Sequence, residues 1–589
     1  MQLASSTRGL TLVIGGAIAL LACASLAYPH PHPHPHPQAE PDSQRILKQA
    51  RSAQRRFESE RRLHLPFGWA RSGNCDERIG RLCMWHDDDD EPPDQHLAEV
   101  EEDEKIVKAR GRLIGHLEKA AASLPGDRWI AGQRVRYLVE DGRFGEAYAV
   151  ALRCGPAGHW WCTALAGYAL HAGGEFEAAE GAFANALAAM SMPQRCSWTD
   201  LSLFLKGELR DKYRNTPCEQ RDSLERRFWW LADPLYLHPA NDRLTEHLAR
   251  RVQVALQDRS DSPFAIAWGS DLAEIVLRYG WPTRWEKAYQ RRAQAIPHRG
   301  IIGHHPDDGR SFLPPAAFVE DPASIRPEDW PLADPRPRTE YAPAYASFET
   351  LDHQLALFKR GDSTIVVTAF DIDRDSLWSE GPVEAGVILA ADEREAPAIA
   401  RDVTEDVRGV FGVKIAGRPT LLSLELHSGE GARAARARYG IRPPTPPRIV
   451  LSVSDLLLLL DSDSLPSTLS EALPLARGSA RVKSGERIGL YWELYGVSSR
   501  GETLVMSLTV TKKGKSWFKK LAQTIGVASS DRPMSLNWEE QVPGGLRESR
   551  RALSLELPEM SKGTYLLRLQ VNAYGREPVV ASRELIVKD

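Results

Sequence analysis

Apolar positions in the first half of the chain recur at spacings of three and four, and in the second half at spacings of two, so the pattern predicts helices followed by strands. Ile46, Ala50, Ala53 and Phe57 mark a helix beginning near Ser43, with charges of both signs on its solvent face. Ile106, Leu113, Leu117 and Leu124 mark the next, which Pro125-Gly126 ends. Leu244, Leu248, Val252 and Leu256 mark a helix of about fifteen residues, with Asn241 or Asp242 placed to cap its first free amides. From Leu351 the period changes: Gln354 to Phe358, Thr364 to Phe370, Glu384 to Leu389 and Thr420 to Leu426 are short β-prone runs separated by Gly, Asp and Pro. Beyond a second proline cluster, Arg448 to Leu460, Arg487 to Tyr495, Leu504 to Thr511, Leu553 to Leu557, Thr564 to Asn572 and Pro578 to Val587 predict an antiparallel sandwich.

The chain has 589 residues, 42% of them hydrophobic and 26% charged, with a formal net charge of -4. These values describe a globular chain of several domains and give no footing for nucleic acid as a partner. Arg8 followed by an apolar run from Leu10 to Ala22 has the length of a secretory h-region, too short for a transmembrane span. Two cleavage readings compete. Leu20-Leu21-Ala22-Cys23 resembles a bacterial lipobox, which would make Cys23 a lipid anchor, whereas Ser25-Leu26-Ala27 would serve an ordinary signal peptidase. The lipoprotein reading is favoured, giving a signal at 1–23 and a product in the bacterial periplasm or anchored to the outer membrane.

Export gives the cysteines their meaning. Cys75, Cys83, Cys154, Cys162, Cys196 and Cys218 all precede residue 220, contain no Cys-x-x-Cys, and are spaced for sequential pairing. Each bridge is expected to add about 2–4 kcal/mol to the helical half. Residues 24–43 hold the His-Pro alternation. Polyproline II geometry turns His30, His32, His34 and His36 around the axis, so a spacer is preferred over a metal sponge. Asp87 to Asp90 reads as a solvated acidic loop, because the spaced glycine and terminal Glu of an EF-hand are missing. Neither that loop nor His304-His305 makes a convincing metal centre, and no cofactor is expected.

Gly142-Arg143-Phe144-Gly145-Glu146-Ala147 and Gly174-Glu175-Phe176-Glu177-Ala178-Ala179 repeat one another. The pattern resembles the tetratricopeptide repeat, whose stacked helix pairs usually grip a peptide or another protein. Farther on, Asp233-Pro234 follows an aromatic cluster, Asn241-Asp242 follows it, and Ala267-Trp268-Gly269-Ser270-Asp271 leads to Tyr279-Gly280 and Pro282. These anchors resemble the GWxTD domain, with Ala for the first Gly and Ser270 for Thr. Leu272, Ala273 and Glu274 stand where that family has basic and Gly positions. The resemblance implies an exported bacterial protein, joined to helical repeats and without an assigned activity. The residues alone suggest structure: Trp268 as a core aromatic and Asp271 as a turn or cap.

The expected architecture is multidomain. An N-terminal all-α part comprises a disulfide-stapled, tetratricopeptide-like solenoid at 44–221 and a GWxTD-like helical region at 222–296. A proline-rich linker at 297–350 leads to a C-terminal all-β part, with two β-sandwich-like domains at 351–435 and 448–589. Lys512 to Lys520 reads as a hairpin tip centred on Gly514. No nucleophile elbow, phosphate loop, His-Glu-x-x-His or dinucleotide fingerprint occurs. The expected function is therefore binding or scaffolding at the cell envelope, with an envelope protein or peptide as partner. The alternative is an envelope-acting hydrolase with a site between the two halves, whose catalytic residues the sequence does not name.

Overall fold

The computed structural model describes residues 39–69, 75–84, 101–155, 159–289, 300–306, 308–334, 336–372, 378, 381–406, 408–429, 432–444, 450–513 and 534–588. The expected signal with Cys23, the His30 to His36 arm and the Asp87 to Asp90 run lie outside the described residues. Among the described residues eleven helices build the first part: α1 (Ala39–His64), α2 (Glu104–Ser123), α3 (Arg128–Glu140), α4 (Phe144–Leu152), α5 (His159–Ala172), α6 (Phe176–Ala189), α7 (Met192–Thr199), α8 (Gly207–Asn215), α9 (Asp222–Ala232), α10 (Asp242–Leu256) and α11 (Ser270–Tyr279).

The α3/α4 and α5/α6 pairs are joined by matching turns. Gly142 (φ 71°) and Gly174 (φ 81°) take the left-handed conformation that glycine adopts freely. The amides of Arg143 and Glu175 then donate to the carbonyls of Leu138 and Leu170, closing each helix in the same way. Gly167 lets the Phe183 ring pack directly on α5, since a Cβ there would stand 2.9 Å from the ring. On this repeat sits α10. Its Leu248, Ala249, Val252 and Leu256 belong to the same core as α3, α5 and α6. Gly132 makes room for Leu256, and Gln133 Nε2 donates to the Leu256 carbonyl at 2.7 Å. The apolar stripe of α10 is thus spent on the repeat itself.

Buried charge ties α1 to α3. Arg61 and Arg136 meet Glu58 and Glu140, while Tyr137 donates to Glu58 at 2.6 Å. All three disulfides pair sequentially: Cys75–Cys83, Cys154–Cys162 and Cys196–Cys218, with Cα separations of 5.3, 5.6 and 5.9 Å. The first closes a hairpin of Glu77–Ile79 and Leu82–Met84, the second joins the end of α4 to α5, and the third ties α7 to the turn after α8. Such bridges belong to an oxidising, extracellular type of compartment.

The described residues of 300–350 are mostly irregular, in keeping with their prolines, yet several of their apolar side chains are buried. Ile301–His304 pairs antiparallel with Arg284–Tyr289, which in turn pairs parallel with Phe67–Trp69. Phe318, Val319, Ile325 and Trp330 share a core with α9 and Leu421, while Phe312, Leu332 and Tyr341 join Leu235 and Ala434. This stretch cements the helical part to the β part.

The β part is two sandwiches. In the first, a sheet of Ala398–Thr404, Val383–Ala390, Thr420–Ser428, Arg433–Ile441 and Ser347–Thr350 faces one of Arg408–Ala416, Ser363–Asp371 and His353–Arg360. In the second, Arg487–Tyr495 pairs with Glu548–Glu556 and packs against a sheet that includes Gly563–Ala573, Glu502–Lys512 and Met534–Val542. Val510 pairs with Met534 at the near end of that ladder. Gly514 to Lys520 lie outside the described residues.

Candidate functional site

The residues of the motif resemblance mostly hold elements together. Asp233-Pro234 follows α9, and its carbonyls receive two buried arginines of the strand Arg433–Ile441. Arg438 Nη1 donates to the carbonyls of Leu231 (2.9 Å) and Asp233 (2.6 Å), and Arg436 Nη1 to those of Asp233 (3.0 Å) and Pro234 (3.1 Å). Arg438 Nη2 also meets Glu425 at 2.7 Å, both side chains being essentially unexposed, and Glu425 accepts from the Leu237 amide at 3.0 Å. Burial pushes the Asp233 carboxyl well above the usual range. The Asp-Pro pair is thus a latch between the helical and β parts.

Asn241 caps α10, accepting from the Leu244 amide at 2.9 Å and donating to the Trp229 carbonyl at 2.6 Å. Ser270 opens α11 in solvent. Asp271 receives Arg81 in a fork, Nε to Oδ2 at 2.6 Å and Nη2 to Oδ1 at 2.7 Å, which seats the first disulfide hairpin on α11. Those Arg81 hydrogen bonds hold the Asp271 carboxyl far below its ordinary range. Tyr279 donates to Glu77 at 3.1 Å on the same hairpin. Gly280 (φ 87°) ends α11, and a Cβ there would stand 3.2 Å from Arg250 Nη2. Pro282 is buried against Gly303.

Beside Gly280 a cavity of about 220 Å³ opens between the α5–α6 turn, the polar stripe of α10, the end of α11 and the segment 306–344. On its wall His171 Nε2 meets Glu246 at 2.7 Å, and Arg250 Nε meets the other Glu246 oxygen at 2.5 Å. Against the upward push of burial, Arg250 and His171 hold the Glu246 carboxyl far below its ordinary range. The remaining Arg250 donors reach the carbonyls of Leu277 (3.3 Å), Arg278 (2.8 Å) and Glu340 (2.7 Å). His171 Nδ1 lies 2.9 Å from Thr245 Oγ1. Glu, His and Thr are the residue types of an acid–base relay, but Thr245 is fully buried and donates to the Asp242 carbonyl at 3.1 Å. As a nucleophile it is out of reach.

No family model and no curated protein matches the chain. A red sea bream transglutaminase structure aligns with 41% of this chain and 32% of its own, at 11% identity and a TM-score of 0.13. A Bacteroides uniformis β-glucuronidase aligns with 38% of this chain and 26% of its own, at 9% identity and a TM-score of 0.16. The chain spans about a third or less of the length of these structures. At such scores the likenesses carry no argument about fold or function.

Trp268 differs from expectation. It is half-exposed and lies 6.4 Å from Trp281, outside a closed core. His304 meets Glu286 at 3.1 Å, whereas burial pushes neighbouring His305 down to about 4, so the two adjacent rings have separate surroundings. Among the described residues no group of three or more His, Cys, Asp and Glu side chains is placed to hold a metal. Sequence reasoning passed over His171, Glu246 and Arg250. Glu246 and Arg250 stand four apart on the polar face of α10, a spacing that could have marked them.

Proposed function

We propose that this is an exported cell-envelope protein that binds or scaffolds, meeting an envelope protein or peptide through the outer face of its tetratricopeptide-like helices. In this reading it is related to GWxTD-domain proteins, and residues 1–23 form a lipoprotein-type signal. Lipidated Cys23 then holds it to the membrane of the periplasm or outer envelope, and the His-Pro arm is a spacer. The observation that carries the reading is on α4. Phe144 and Leu152 stand on one side of that helix, 36% and 63% exposed, with the partly buried Tyr148 between them on the core, while α10 packs on α3, α5 and α6. Exposed large apolar side chains on a helical repeat are the kind of surface that takes a partner.

The alternative, a hydrolase working between the helical and β parts, has less support, because that boundary is filled by the Glu425–Arg438 pair and the carbonyls of Asp233-Pro234. The test is site-specific photocrosslinking in intact envelopes. A crosslinker at Leu152 is expected to give a discrete adduct that one at fully exposed Tyr574 does not. Identical adduct patterns from both positions would refute the proposed face.

A further inference from the structure

Phe264, Trp268, Trp281 and Trp285 form one group of half-buried rings, of which Trp281 lines the cavity. Phe264 stands 6.1 Å from Trp281 and 4.7 Å from Trp285, and Trp281 stands 6.4 Å from Trp268 and 5.8 Å from Trp285. Trp285 leans on the helical core, and the Arg136 guanidinium holds Trp281 from one side at 5.3 Å. Trp281 is also part of the cavity wall, so the aromatic group and the cavity are continuous. Three indoles that stay only partly buried beside a cavity keep ring surface that a ligand can cover.

The cavity wall narrows the ligand class. Among the described residues it contains no Leu, Ile, Val or Met: its apolar share is Phe176, two tyrosines, Trp281, Pro306 and a few alanines. Its polar share includes His171, Glu246, Gln253, Thr283 and Glu340. The carboxylate of Glu340 and the hydroxyl of Thr283 stand beside the Gln253 amide in that lining, groups of the kind that meet hydroxyls.

We propose that the indole group and the cavity together bind a neutral saccharide. A sugar ring offers a C–H face, which an indole takes by dispersion and quadrupole contact, and a rim of hydroxyls, which amide, carboxylate and hydroxyl groups take by hydrogen bonds. An acyl chain or an apolar peptide needs aliphatic walls, and this site lacks them. A nucleotide needs cations free for phosphate, whereas Arg250 is engaged by Glu246 and three carbonyls. At about 220 Å³ the cavity is below the roughly 300–1,000 Å³ of drug-sized sites. It suits one ring of an oligosaccharide whose neighbours lie on Trp281 and Trp268.

Titration of the full exported chain with chitotetraose, cellotetraose and maltotetraose, read by tryptophan fluorescence and calorimetry, tests this. At least one sugar is expected to bind with Kd on the order of a millimolar or tighter. Trp281→Ala and Trp268→Ala should each weaken it about tenfold, Trp281→Tyr should retain much of it, and Tyr574→Ala should leave it unchanged. Failure of all three sugars to bind, or equal binding by the Trp281 and Trp268 variants whose circular dichroism matches the parent, overturns the assignment. Neither result touches the α4 crosslink, so the two proposals stand or fall separately.

Discussion

Arg438→Met removes the cation that joins the two parts of the molecule. Its side chain and that of Glu425 are 1% and 0% exposed, so the substitution leaves a carboxylate in the interior with Ser423, the Leu237 amide and the neighbouring buried Arg436 to face it, but without its direct ion-pair partner. It also strips a donor from the carbonyls of Leu231 and Asp233. Breaking a buried pair from one side typically destabilises by about 3–5 kcal/mol, because the remaining charge is uncompensated. The pair itself is worth much less than that, so Arg438→Met with Glu425→Met should recover most of the loss. Urea denaturation followed by tryptophan fluorescence, with limited proteolysis between α9 and the first sandwich, reads both effects. A single variant that loses less than about 1 kcal/mol, or a double variant no better than the single, would refute the reasoning that this contact holds the parts together.

Asp242 makes the opposite case. Burial pushes its carboxyl up to about 6 from 3.8, so its ionised form is strained in the native protein and its protonated form is favoured. That gap corresponds to about 3 kcal/mol. Asp242→Asn should therefore stabilise by up to that amount near pH 8, with the gain fading as pH falls through 6 and gone near pH 4, as paired melts across pH would show. Burial lowers His238, His427 and His247 below the ordinary histidine value. Their contribution is intact above about pH 6.5 and lost as pH falls below it, since the unfolded chain takes up protons there first. His427→Gln should flatten that part of the stability profile in denaturant titrations at fixed pH. Gly440→Ala would drive a methyl into the backbone of Ala323, and a loss of about 1–3 kcal/mol in melting experiments is expected. Opening Cys154–Cys162 by Cys→Ser at both positions should cost about 2–4 kcal/mol by the same measurement, since it frees the junction of α4 and α5.

The parts of the fold that the sequence made legible are those whose side chains repeat the period of their element. Leu244 to Leu256 announced α10, and Leu490-Tyr491-Trp492 announced the central strand of the second sandwich. Arg433–Ile441 escaped because its pattern is Arg and Ala, residues that rarely fill a sheet interior. Arg436 and Arg438 are buried there only because the carbonyls of Asp233 and Pro234 arrive from two hundred residues earlier to receive them. Ala398–Thr404 escaped for the contrary reason: as an edge strand with Arg401, Asp402 and Val403 in solvent, it has little burial to record. The candidate sites follow the same division. Local chemistry exposed the cap at Asn241 and the turn at Gly280, whereas the His171–Glu246–Arg250 wall exists only when α5, α10 and α11 converge. The same convergence explains Trp268 and Trp281. A tryptophan flanked by apolar residues reads as core in one dimension, whereas in the fold Trp268 and Trp281 stay only partly buried, Trp281 on the cavity wall beside Arg136.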